Sequence, residues 1–382
     1  MTDDLFARGA DVPPFYAGQI AREAMKLARA GREIIPMHFG QPTIGPPPAV
    51  LDAARRALSS NALGYWESDD LRERIARHYQ DTYSVQVLPE QILLTSGASA
   101  GLVAIFTSIF KIGDRIAMAR PGYPAYRNAL NALQRTVVEI DCGPESGFQL
   151  TARHIESLPE APHGLIVASP SNPTGAVIAP AELRAIVDVC RDRGIRLISD
   201  EIYHGITYGA PSATALAFHP EAIVVNSFSK LYRMPGWRLG WLVMPMPYVR
   251  RVQSHLTNLF LTPPALSQQA ALAAFDSPED LRSPVSTYAR NREILLNALP
   301  RVNFPRITSP DGAFYIYADV SHVTNDSLAF CRRLLLDAGV AIAPGIDFDP
   351  INGDRFVRFS FAGATVQIER AVELLGGQKS SG

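Results

Sequence analysis

Asn226-Ser-Phe-Ser-Lys-Leu-Tyr-Arg-Met-Pro-Gly-Trp-Arg238 is the stretch on which the reading of this chain turns. The apolar run 222–225 before it reads as a short buried strand. Lys230 therefore falls just past a strand end, among the hydroxyls of Ser227, Ser229 and Tyr232, with Arg238 further along the same loop. A lone loop lysine is usually a solvated surface charge. Other strand ends in the chain give this one company.

Residues 164–168 read as a strand that runs into Ser169-Pro-Ser-Asn-Pro-Thr-Gly175, and 196–199 as a strand that runs into Asp200-Glu-Ile-Tyr203. Asn172, Asp200 and Lys230 recur at intervals of roughly thirty residues, about one strand–crossover–strand unit. Parallel strands joined in this way put all three side chains on one edge of a sheet, where open α/β sheets bind ligands. Further strands are expected at 92–95, 115–119, 136–140 and 239–244. Helices lie between several of them, the clearest being 180–193, which starts at Pro180 and stops at Gly194. This alternation predicts a mostly parallel sheet covered on both faces.

Two more segments belong on the same edge. Ser96-Gly-Ala-Ser-Ala-Gly101 follows the strand 92–95 and precedes an apolar helix over 102–110. A strand, a small-residue turn and a helix start aim backbone N–H groups at an anion. Small residues also occur at such turns for close packing alone. Pro121-Gly-Tyr-Pro-Ala-Tyr126 is the second segment.

The chain has 382 residues and a formal net charge of −1, with the composition of a globular protein. Its length suits a large domain with a smaller one. The charge gives no field toward nucleic acid or an anionic membrane, and no apolar stretch reaches spanning length. Cys142, Cys190 and Cys331 have no metal or disulfide spacing, which fits a reducing compartment. Met1-Thr-Asp-Asp-Leu lacks the basic and apolar pattern of a signal peptide, so a cytoplasmic protein is expected. A short polar tail closes the chain at 378–382.

Outside the sheet, 16–30 reads as an amphipathic helix stopped by Gly31. The Gly- and Pro-rich His38-Phe-Gly-Gln-Pro-Thr-Ile-Gly-Pro-Pro-Pro48 reads as an irregular connection. It serves as a plain linker or as a place where Gly40 lets backbone approach a ligand. Helices over 47–58 and 70–79 flank Leu63-Gly-Tyr-Trp-Glu-Ser68. Tyr65 and Trp66 there either pack or line an aromatic pocket. Beyond 276–301, which reads as a helix-bearing crossover, strands at 312–317, 340–343 and 355–361 and helices at 326–338 and 366–375 make a small α+β unit.

The crevice thus collects a lysine, a carboxylate, a phenol, an amide, an arginine, aromatic rings and an anion cradle. Pyridoxal 5'-phosphate is a planar, phosphorylated, cationic aldehyde that would use each of them. A lysine forms a Schiff base with it, and a carboxylate keeps its ring nitrogen protonated.

Ser-Asn-Pro-Thr-Gly175, Asp200-Glu-Ile-Tyr and Ser-Phe-Ser-Lys230, followed by Gly236-Trp-Arg-Leu-Gly, resemble the class I/II aminotransferase family of fold-type I pyridoxal-phosphate enzymes. The resemblance extends over residues 16–375. It implies an N-terminal segment 1–45 packing on the small domain, a large cofactor-binding domain 46–280 and a small domain 281–382. It implies a ping-pong transfer of an amino group between an L-amino acid and a 2-oxo acid such as 2-oxoglutarate or pyruvate.

The resemblance also implies roles. Lys230 would carry the Schiff base and shuttle the substrate's Cα proton, and Asp200 would pair with the pyridine nitrogen. Tyr203 and Asn172 would bond the ring's phenolic oxygen, and Tyr123 would stack on the ring. Gly97, Ala98 and Ser99, with Ser227, Ser229 and Arg238, would hold the phosphate. Arg358 would grip the substrate carboxylate by a bidentate fork, with Gly40 facing the same carboxylate and Asn172 beside it. Arg355 competes with Arg358, and strand alternation puts the two on opposite faces, leaving Arg355 to a structural ion pair. Tyr65 resembles the tyrosine that reaches the neighbouring subunit's phosphate, which implies a homodimer with shared active sites.

Three other readings compete. A lyase, decarboxylase or synthase can use the same fold, although Tyr203 stands where related β-lyases often carry histidine. Ser227-Phe-Ser-Lys230 is also a Ser-x-x-Lys acylating motif, but Ser-Asp-Asn and Lys-Thr-Gly partners are absent from the sequence. A cofactor-fold sensor of a transcriptional regulator would need a basic DNA-binding segment, and the N-terminus has none. A cation for an acidic substrate side chain cannot be assigned among Arg22, Arg282 and Arg290, which lie in loops outside the motifs.

Overall fold

The computed structural model describes residues 12–59 and 63–377. The N-terminal pentapeptide and the polar tail read above lie outside the described residues. A seven-stranded sheet forms the centre, in the order Ile92–Thr95, Gly240–Val243, Ile223–Ser227, Arg196–Asp200, Gly164–Ala168, Arg115–Arg120 and Thr136–Asp141. Neighbours are parallel except at Gly240–Val243, which runs antiparallel to both of its partners.

The central strands carry apolar residues on both faces because both faces are covered. Successive side chains alternate. Val224, Leu165 and Leu197 enter one core, which also receives Tyr79, Ile186 and Ala271 from helices Asp69–Tyr83, Pro180–Asp192 and Ala265–Phe275. Ile223, Val225, Ile166 and Ile198 enter the other, beneath helices Ala98–Ser108 and Met246–Phe260. Burying one such aliphatic side chain contributes about 1.5–3 kcal/mol, so these positions hold the sheet between its two helical layers.

The helix expected over 102–110 starts earlier, at Ala98. The small residues that read as a turn are therefore its first turn. Gly97, with φ +82°, makes the corner out of the strand.

A second sheet, antiparallel, has the order Ala343–Pro344, Phe356–Ser360, Tyr315–Asp319 and Arg306–Ile307. The single strand expected over 340–343 is two. Val340–Ala341 pairs in parallel with Ile35–Pro36, and after Ile342 the chain changes partner, so Ala343–Pro344 pairs with Phe356–Ser360. A continuous apolar run does not reveal a change of partner, because both halves are buried. Helices Pro278–Ala298, Ser327–Ala338 and Thr365–Gly377 pack on this sheet. So does the first helix, α1 (Tyr16–Arg29), through Ile20 and Ala24. No described helix is long and apolar enough to cross a membrane. Cys142, Cys190 and Cys331 are free and buried.

Candidate active site

The carboxyl ends of the parallel strands, with the turns that follow them, open on a cavity of about 320 Å³. Ala98, Ser99, Tyr123, Asn172, Asp200, Tyr203 and Lys230 line it from the large sheet. Gly40, Arg358 and Tyr315 close it from the other side, and α1 adds Phe15, Ala17 and Gly18. Nine residues expected at the site thus surround one space: Lys230, Asp200, Tyr203, Tyr123, Asn172, Ala98, Ser99, Gly40 and Arg358.

Lys230 Nζ donates to the Gly40 carbonyl at 2.5 Å and lies 5.5 Å from the centre of the Tyr203 ring. Burial first, and then the Arg358 charge, lower its pKa to about 8, against an opposing pull from Asp200. An amine near 8 is partly neutral at physiological pH and can act as nucleophile or base.

Asp200 ends its strand and is buried. One carboxylate oxygen accepts from the Tyr126 hydroxyl at 2.5 Å, the other from Ile202 N–H at 3.1 Å. Burial still raises its pKa, and a cation placed beside it would restore the ionised form. Tyr203 lines the cavity with its hydroxyl already engaged. Its oxygen lies 2.6 Å from that of Tyr315, a bond the sequence reading missed.

Arg358 is held by Asn172 Oδ1 at 2.8 Å and the His38 carbonyl at 2.7 Å. Its guanidinium is sandwiched between the rings of Tyr315, at 4.4 Å, and Phe348, at 4.7 Å. Among the described residues no carboxylate forms an ion pair with it, and its Nε is buried without a hydrogen-bond partner. Burying a cation unpaired is costly, so the arrangement is chemically suited to take up an anion. The expected face-swap with Arg355 takes another form. Arg355 precedes the strand Phe356–Ser360, in a short helical turn, is exposed, and donates to Asn352 Oδ1 rather than to a carboxylate.

Of the residues expected to form an anion cradle, Ala98 and Ser99 line the cavity, and Gly97, Ser227, Ser229 and Arg238 do not. Helix Ala98–Ser108 has no side-chain cap. A Cβ on Gly97 would come within 2.9 Å of Arg238 Cζ, so the guanidinium rests on the bare glycine backbone. Arg238 itself is exposed and in the left-handed region, φ +50°. Ser227 Oγ lies 2.8 Å from Ser229 Oγ and 3.0 Å from the Leu239 carbonyl and does not line the cavity. A serine so tied and buried is poorly placed as an acylating nucleophile.

Tyr65 is 84% exposed and contributes nothing to the cavity of its own chain. Trp66 does not line it either, so the hinted pocket around the two rings is not formed within one chain. The aromatic lining comes from Phe15, Phe39, Tyr123, Tyr126, Tyr203 and Tyr315 instead. Arg22, Arg282 and Arg290 lie on the helices Tyr16–Arg29 and Pro278–Ala298 rather than in loops, are exposed and do not line it. His38, in a segment whose sequence marks it only as a connection, lines the cavity at 3% exposure. Burial and then Arg358 lower its pKa to about 4, so the ring is neutral.

A family model described as aminotransferase class I and II matches residues 32–375. The chain belongs to that family. It is 46% identical to a valine–pyruvate aminotransferase of Mycobacterium tuberculosis, over 98% of both chains. A crystal structure of an aminotransferase from the same organism superposes with a TM-score of 0.96, at 46% identity over 98% of this chain and 99% of that one. An aspartate aminotransferase from Thermus thermophilus with maleate superposes at 0.89, with 29% identity over 99% of both. Like its aminotransferase relatives, this enzyme transfers amino groups, and the lyase, acyl-serine and regulator readings fall away. The aminotransferase fold also accounts for the mostly parallel sheet and the second, smaller antiparallel one.

Proposed function

We propose that this aminotransferase moves the amino group of an apolar L-amino acid, valine foremost, to a small 2-oxo acid such as pyruvate, with pyridoxal 5'-phosphate as cofactor. One observation carries the reading: a buried guanidinium without a carboxylate, Arg358, faces a lysine with a lowered pKa, Lys230, across a cavity whose remaining walls are largely apolar or aromatic. Among the described lining residues no further arginine or lysine is present to pair with an acidic side chain. The 46% identity to a valine–pyruvate enzyme points the same way.

The donor set fits the cofactor chemically. Ala98, Ser99 and the Gly97 corner at the uncapped helix start, with Arg238 beside it, would make a phosphate cradle, to which Ser227 and Ser229 would add their hydroxyls. Asp200 would hold the pyridine nitrogen, Asn172 and Tyr203 the phenolic oxygen, and Tyr123 the ring face. When bound, the cofactor supplies an electron sink that acidifies the substrate's Cα–H.

The chain's own residues do the rest. Arg358 binds the α-carboxylate and, with Asn172 and Gly40 beside it, fixes which Cα bond faces Lys230. Lys230 anchors the cofactor and then moves the Cα proton as its neutral amine. Asp200, whose ionised form the Tyr126 hydrogen bond favours against burial, would pair with the ring nitrogen and favour its protonated form. Product leaves before the second substrate enters, giving ping-pong kinetics.

In this reading the chain divides into an N-terminal segment 1–45, a large domain 46–280 and a small domain 281–382. It acts as a homodimer in the cytoplasm, where the exposed Tyr65 reaches the partner's phosphate cradle.

The test is a coupled assay of purified, cofactor-loaded protein with valine and pyruvate, followed by mass spectrometry. Equal amounts of 3-methyl-2-oxobutanoate and alanine are expected. Turnover confined to dicarboxylic donors, or release of ammonia in place of alanine, would overturn the reading.

A further inference from the structure

Helix α1 forms one wall of the active-site cavity, yet nothing local caps its start. The residue at the cap position is Phe15, which has no side-chain oxygen. The cap comes from the far end of the chain. Tyr16 N–H donates to Asp347 Oδ1 and Ala17 N–H to Asp347 Oδ2, each at 2.8 Å. Asp347 is only 4% exposed. A carboxylate against two free N–H groups satisfies them and complements the positive end of the helix dipole.

The turn that carries Asp347 is fastened on two other sides. The Phe348 carbonyl accepts from Gly122 N–H at 3.0 Å and from Arg127 Nη2 at 3.2 Å. Asp349 pairs with the buried Arg120 at 3.3 Å. The Phe348 ring lies on the Arg358 guanidinium. One turn therefore touches the arginine assigned above to the α-carboxylate and also holds the wall that carries Phe15, Ala17 and Gly18.

We propose that Asp347 is a positioning residue that fixes the apolar wall facing the substrate's side chain and so sets the preference for a branched donor over alanine. The inference rests on the proposed reading of Arg358 and Lys230. With the carboxylate at Arg358 and Cα at Lys230, the large-sheet side of the cavity is taken by the cofactor. The substrate side chain is then left with Phe15, Ala17 and Phe39. Without Asp347 the first turn of α1 loses both caps and frays, and Phe15 withdraws. Valine loses contacts that alanine never makes. A pocket reads one methylene as roughly a 10–200-fold difference, so partial withdrawal should cost about tenfold.

The experiment compares valine and alanine as donors for the cofactor-loaded wild type, Asp347→Ala, Asp347→Asn, Phe15→Ala and the Asp347→Ala/Phe15→Ala double variant. The valine-to-alanine ratio of kcat/KM should fall about tenfold in Asp347→Ala, through KM for valine, with the cofactor's visible band unchanged. Asp347→Asn retains one acceptor and should fall less, which supplies the result if the alanine variant is too unstable to purify. Phe15→Ala should lower the ratio similarly, and the double variant should be no worse than either single one, because both act through the same wall. Equal losses for valine and alanine, or additive losses in the double variant, would overturn this inference alone. A wild type inactive on both donors would overturn the substrate reading and this inference with it.

Discussion

Arg358 and Asn172, 186 residues apart in the chain, meet through a 2.8 Å hydrogen bond from Arg358 Nη1 to Asn172 Oδ1. Asn172 follows the strand Gly164–Ala168 of the large sheet, and Arg358 lies within the strand Phe356–Ser360 of the small one. The bond thus ties the two sheets at the cavity they share. It commits the amide oxygen of Asn172 to the guanidinium and leaves its NH2 group as a donor.

Arg358→Leu is expected to lower kcat/KM for amino acids by about 10²–10³-fold, the effect of removing one partner from a buried charged contact worth roughly 2–5 kcal/mol. Cofactor affinity, read by spectrophotometric titration, should change far less. Arg358→Lys should also be poor, since an ammonium cannot reproduce a planar fork stacked between two rings. Equal losses for substrate and cofactor would count against the assignment.

The rate at which the cofactor-free protein captures added pyridoxal phosphate should rise with pH and level off above about 8, the value to which burial and Arg358 bring Lys230. Only the neutral amine attacks an aldehyde, so each unit below that value should slow capture about tenfold. Stopped-flow absorbance across pH 6–10 measures this. A rate still climbing at pH 10 would show an unperturbed lysine.

Tyr126→Phe removes the hydroxyl that donates to Asp200. That bond favours the ionised carboxylate, so losing it should raise the pKa of Asp200 further. A hydrogen bond to a charged group is worth roughly 1.5–3 kcal/mol, and the half-reaction with valine should slow by about tenfold or more. Asp200→Asn should slow it further. Single-turnover spectra decide, and an unchanged rate in Tyr126→Phe would detach Tyr126 from the site.

Gly97→Ala places a methyl group against the Arg238 guanidinium, at a φ of +82° that alanine adopts only with strain. Arg238 must move off the helix start. Cofactor affinity should fall by about 10–100-fold, of the order of the loss of one charge-assisted contact, while turnover at saturating cofactor falls less. Equilibrium dialysis with pyridoxal phosphate reads this directly.

Much of the fold and site was legible in local sequence. Lys230, Asp200 and Asn172 each follow an apolar run of strand length, and parallel strands present their carboxyl ends together. The Gly97 corner and the Pro180 helix start follow from backbone chemistry that needs no neighbour. Other features stayed hidden because their partners lie far along the chain. Tyr126 with Asp200, Tyr203 with Tyr315, Arg358 with His38 and Asp347 with α1 are separated by 74, 112, 320 and 330 residues. A phenol or carboxylate carries no local mark of what it will bond, and an apolar run such as 340–343 does not announce that it serves two sheets. The chain's periodicity and strand-end chemistry determined which residues arrive at one edge. The packing of the small sheet and α1 over that edge decided which of them are paired, which cation stays free, and what shape of side chain the cavity accepts.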